Sequence, residues 1–68
     1  MKIICTFEAL VEALRTSTEG VPAAVISEAM DFRMEMDEKL FKHHLVRWEE
    51  TSSGDVLKPK AEFFTQDW

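Results

Sequence analysis

Cys5 is the only cysteine in a chain of 68 residues, and this combination limits the fold more than any motif does. No internal disulfide can form, so apolar contacts must hold the chain together. A domain this small buries only about 60% of the surface that its unfolded chain exposes. It has no room for a deep cofactor cavity, no cofactor is expected, and a partner, a metal or self-association are the ways such a chain gains stability. Residues 1–68 are expected to form one small domain. A composition of 46% apolar and 31% charged residues is globular rather than disordered. The lone thiol suits a reducing compartment. The opening "MKIICTF" is too short for a signal-peptide core and meets Glu8 at once. No apolar run approaches the ~18 residues of a membrane span. A cytoplasmic location is expected.

Hydrophobic spacing then divides the chain. "MKIIC" is a short β-rich start. In "TFEALVEALRTSTEG", Phe7, Leu10, Val11 and Leu14 fall at i, i+3, i+4 and i+7, which predicts a helix with one apolar stripe. Thr6 is a fair N-cap, Glu8 suits the first turn, and Gly20 is a stop signal. "VPAAVISEAMDF" predicts a second helix with Pro22 in its first turn and Val25, Ile26, Ala29 and Met30 inward. "DFRMEM" is a connector, and Asp37 caps a third helix, "KLFKHHLVRWEE" (residues 39–50). On a wheel at ~100° per residue, Leu40, Phe41, Leu45 and Trp48 form its apolar sector, with His44 in the middle. Lys39, Lys42, His43 and Arg47 line the opposite side, with Val46 among them. "TSSGD" is a turn around Gly54. Asp55–Gln66 is expected to be a small hairpin with Lys58, Pro59 and Lys60 at its tip, since proline belongs at an edge or a tip. The expected architecture is α+β and helix-dominated, with three helices and a small C-terminal β-hairpin. Leu10, Leu14, Ile26, Leu40, Phe41, Leu45 and Trp48 should form the core.

This order of elements resembles the winged-helix variant of the helix-turn-helix. The segments that carry the resemblance are "VPAAVISEAMDF", "KLFKHHLVRWEE" and "GDVLKPKAEFFT". It implies a DNA-binding regulator whose third helix enters the major groove and whose wing touches the backbone or the minor groove. Lys39, Lys42, His43 and Arg47 would then face duplex DNA, with Lys58 and Lys60 on the wing. Asp37 and Glu38 depart from that pattern where base edges are usually reached. The net charge of −5 also opposes phosphate binding.

No catalytic constellation is visible, and the chain is expected not to be an enzyme. The acids Glu8, Glu12, Glu19, Glu28, Asp31, Glu35, Asp37 and Glu38 look like solvated helix faces. The adjacent His43 and His44 point about 100° apart on a helix and cannot chelate one ion, so no metal site is expected. His44 is expected in or beside the core, and Cys5 as a small buried hydrophobe. There is also a set of apolar residues at positions that look exposed. Met34 and Met36 lie in the connector, Val46 in the basic stripe, and Phe63, Phe64 and Trp68 near the end of the sequence. One of Phe63 and Phe64 should close the core while the other faces out. Such residues are enriched in protein interfaces, so Val46, Arg47, Phe63, Phe64 and Trp68 are candidate interface residues. The expected function is that of a small acidic regulatory or adaptor protein. It would bind another protein, as an inhibitor of a basic site would, or itself as a homodimer.

Overall fold

The computed structural model describes residues 2–17 and 19–68. Met1 and Thr18, which belong to the segments "MKIIC" and "TSTEG", lie outside them. Helix α1 (Phe7–Thr16) forms as its stripe requires. Thr6 accepts a hydrogen bond from the Ala9 N–H at 3.2 Å, and Leu10, Val11 and Leu14 are buried. The expected helix-dominated architecture, three helices with a hairpin over Asp55–Gln66, does not form. The described residues instead form two α-helices and a three-stranded antiparallel sheet, β1 (Val21–Pro22), β2 (Val46–Thr51) and β3 (Gly54–Pro59), in the order β1-β3-β2.

"VPAAVISEAMDF" is not a helix. Val21 and Pro22 pair with β3, Ala23–Val25 make one 3₁₀ turn, and the chain then runs extended. There Ile4 forms a single parallel bridge to Ile26, with its N–H on the Val25 carbonyl at 2.7 Å. The expected connector is the helix: α2 spans Met30–Met36. Its inward stripe is Phe32, Met36 and Leu40, spaced i, i+4, i+8, while Met30 faces solvent. A π turn over Asp37–Phe41 extends α2, with the Lys42 N–H bonded to the Asp37 carbonyl at 2.8 Å. Asp37 thus joins α2 to its π extension and is not the N-cap of a third helix.

The expected helix over residues 39–50 stops at Phe41, its third residue, and a turn over residues 42–44 follows. The Leu45 N–H donates to the Leu40 carbonyl (3.0 Å) and the His44 N–H to the Phe41 carbonyl (3.1 Å). His44 has φ 57, in the left-handed region. This is the Schellman termination with histidine where glycine is usual, and the buried Leu40 and Leu45 supply its apolar contact. His44 is therefore exposed at a turn and not in the core. β2 comes next, and Val46–Arg47–Trp48–Glu49 alternates inward and outward as a strand does.

β2 and β3 pair from Val46↔Pro59 to Thr51↔Gly54, so the hairpin tip is Ser52–Ser53, and Lys58, Pro59 and Lys60 are not at a tip. The Ser53 N–H donates to Thr51 Oγ1 at 3.2 Å, and Gly54 supplies a positive φ of 115°. The Lys60 N–H bonds the Leu45 carbonyl at 2.8 Å. By alternation the nitrogen of Pro59 then points away from β2, where its missing N–H costs no bond. "EFFT" is not a strand: Ala61–Thr65 form a 3₁₀ helix whose three-residue turn buries Phe63 and exposes Phe64. One core gathers these pieces. Leu10, Leu14, Ile26, Leu40 and Leu45 are fully or nearly buried as expected, joined by Val21, Phe32, Met36, Val46, Leu57 and Phe63. Phe41 is only half-buried and Trp48 is exposed at the margin, because neither lies on the helix that would have turned them inward.

Candidate functional site

The expected interface residues separate. Val46 is buried under the sheet, and Phe63 has no exposed surface at all. Phe64 remains outward at 59% exposure. Trp68 is partly exposed but docked: its indole N–H donates to the Phe63 carbonyl at 2.8 Å, and its ring lies 5.0 Å from Phe63 and 6.0 Å from Phe7. Arg47 projects from the outer face of the sheet, 3.5 Å from Glu49. Cys5 is exposed, against expectation, next to Ile4, whose backbone is bonded to Val25 and Ser27.

The basic residues do not form one stripe either. Lys39 is held by Glu35 at 2.8 Å, and its ammonium lies 5.0 Å from the centre of the Phe7 ring. Its hydrogen bond to Glu35, reinforced by that carboxylate's charge, raises the lysine pKa. Lys42 and His43 are exposed in the turn that ends α2. Arg47 and Lys58 flank Glu49 on the outer sheet face. The hydrogen bond from Lys58, then the charges of Lys58 and Arg47, hold the Glu49 carboxyl below its ordinary range. Lys60 is half-buried where the 3₁₀ helix begins.

A different surface is left unmatched. Met30 and Met34 stand one turn apart on the outer face of α2, 76% and 54% exposed. Asp31 of α2 and Asp37 and Glu38 of its π extension are exposed as well. On the Asp37 side of this face opens a cleft of about 350 Å³. Phe41 and Trp48 stack along it, centroids 6.2 Å apart and planes at 25°. Buried Ile26 and Met36 give it depth, and Glu28, Asp37, Asp55 and Arg33 surround the opening. The π turn matters here, since it shifts the residues after Met36 off the α-helical phase and brings Phe41 over Trp48. The exposure of Met30 escapes the sequence pattern because the apparent stripe through Val25, Ile26, Ala29 and Met30 belongs to a helix that does not form. The legible signal is the stripe Phe32, Met36 and Leu40, which places Met30 and Met34 outside.

Among the described residues, no group of three or more His, Cys, Asp or Glu could hold a metal ion, and no helix is long and apolar enough to cross a membrane. A scan against protein-family models, a search of curated proteins and a search of solved structures each found no match to the chain.

Proposed function

We propose that the chain is a small regulatory or adaptor protein that binds a basic, amphipathic surface of another protein through the outer face of α2 and the adjoining cleft. The carrying observation is Met30 and Met34, exposed together and bracketed by Asp31, Asp37 and Glu38. Methionine is flexible and polarisable, which suits it to irregular partner surfaces. Two such side chains in solvent favour burial against a partner. The acids around them favour lysine and arginine on that partner, and repel phosphate. The charge balance supports the same partner. Lys39, Arg47 and Lys58 are engaged by acids of this chain, while Asp31, Asp37 and Glu38 take part in none of the ion pairs among the described residues.

The test uses defined probes: an amphipathic lysine–leucine peptide, its glutamate–leucine counterpart, and a mixed-sequence DNA duplex. Methyl and amide NMR shifts locate binding, and titration at rising salt measures it. The basic peptide should shift the methyl signals of Met30 and Met34. The double substitution Asp31→Lys with Glu38→Lys should weaken binding by at least ~10-fold, equivalent to about 1.4 kcal/mol. Tighter binding of the duplex than of the peptide, or shifts that avoid α2, would overturn the proposal.

A further inference from the structure

We propose that the free edge of β2 pairs with β2 of a second copy, antiparallel about a twofold axis at Trp48, so that two three-stranded sheets join into one of six strands. This proposal does not depend on the α2 surface.

The strand order leaves β2 at an edge of the sheet. The bond from the Lys60 N–H to the Leu45 carbonyl sets the alternation of the ladder. Arg47, Glu49 and Thr51 therefore direct their backbone groups toward β3, and Val46, Trp48 and Glu50 direct theirs away from the sheet. An edge strand of this kind is a template for another strand. The side chains decide its occupant. In an antiparallel edge pairing, outward-directed residues must oppose outward-directed residues. Three neighbouring symmetric registers meet that condition. Centred on Arg47, the pairing sets arginine against arginine. Centred on Glu49, it sets glutamate against glutamate. Centred on Trp48, it sets Arg47 of each copy against Glu49 of the other, and the two Trp48 side chains side by side.

The third register also answers two features of the single chain. Arg47 lies directly opposite Lys58 within the sheet, a like-charge pair that is unfavourable. Its acidic neighbour on the strand, Glu49, is also held by Lys58. A second copy places another Glu49 on the open side of Arg47. Trp48, 42% exposed, gains an aromatic neighbour across the strand.

Sedimentation equilibrium over a wide concentration range tests this, with circular dichroism to confirm that each protein is folded. The parent should reversibly dimerise. Arg47→Glu and Glu49→Arg should each weaken dimerisation by at least ~10-fold, since each sets like charges opposite one another. An equimolar mixture of the two single variants should dimerise again. One chain then carries acids at both positions and the other carries bases, so opposite charges meet at each end of the interface. The double variant, which keeps an opposite pair on its own strand, should dimerise by itself. A parent that stays monomeric throughout, single variants that dimerise like the parent, or a mixture and a double variant that both remain monomeric would each overturn the proposal.

Discussion

Phe63 and Phe64 are chemically identical neighbours with opposite environments, and truncating each to alanine separates core from surface. Phe63 has no exposed surface and is packed edge-to-face on Phe64 at 5.2 Å and against Trp68 at 5.0 Å. Removing its ring deletes the central plug between the 3₁₀ helix and the core, a change that costs about 3–5 kcal/mol at fully buried phenylalanines. A stability of about 0.05–0.15 kcal/mol per residue puts a chain of this size at ~3–10 kcal/mol. Phe63→Ala should therefore consume between a third and all of the stability. Phe64→Ala forfeits one edge-to-face contact, about 0.5–1.5 kcal/mol. Urea unfolding read by tryptophan fluorescence measures both. In a Trp48→Phe background the signal comes from Trp68 alone, whose indole is tied to the Phe63 carbonyl. Equal losses, or a greater loss from Phe64→Ala, would show that the Ala61–Thr65 turn is not phased as described.

Three further outcomes are expected. Gly20 has φ 93, and an added Cβ would lie 2.9 Å from the Leu57 carbonyl oxygen; Gly20→Ala should cost more than ~1 kcal/mol and lower the calorimetric melting temperature accordingly. His44 in the left-handed region carries a strain of about 1–2 kcal/mol that glycine lacks. His44→Gly should therefore match or exceed the parent in urea midpoint, while a β-branched His44→Val falls below it. Glu49 has its carboxyl pKa lowered by Lys58, so its contribution is present above the ordinary carboxylate pKa of ~4.3 and is lost as pH falls through the lowered value. Urea midpoints of the parent and Glu49→Gln should differ at neutral pH and converge in acid.

Helix α1 is legible because its signals agree: an apolar stripe, a capping threonine and an acid in the first turn. The turn at Gly54 and the β-prone Val56–Leu57 after it are legible too, but not the strand β2 before it. Leu40, Phe41, Leu45 and Trp48 satisfy a helical wheel by coincidence of spacing, and neither glycine nor proline marks the break. His44 takes the position that glycine would have announced. The shorter alternation in Val46–Arg47–Trp48–Glu49 is the competing signal. The burial of one phenylalanine of the pair 63–64 is also foreseeable, since a strand and a 3₁₀ turn both separate adjacent side chains. The surface of α2 is not, because Pro22 and the alanines place the second helix several residues too early. Side-chain periodicity specifies burial only after the element has been assigned.

The shortness of β1 has a consequence for how far assembly can go. Val21 and Pro22 form the outer strand on the sheet's other side, and they face only Leu57 and Val56 of β3. Val21 faces Leu57, so the Pro22 nitrogen, which carries no hydrogen, is directed to the open side. Strand addition there has neither length nor a donor to build on. The proposed pairing at β2 would use the longer free edge of each copy and leave the two β1 sides outermost. An association of that kind would be closed by symmetry at two chains and would not extend edge to edge into a fibre.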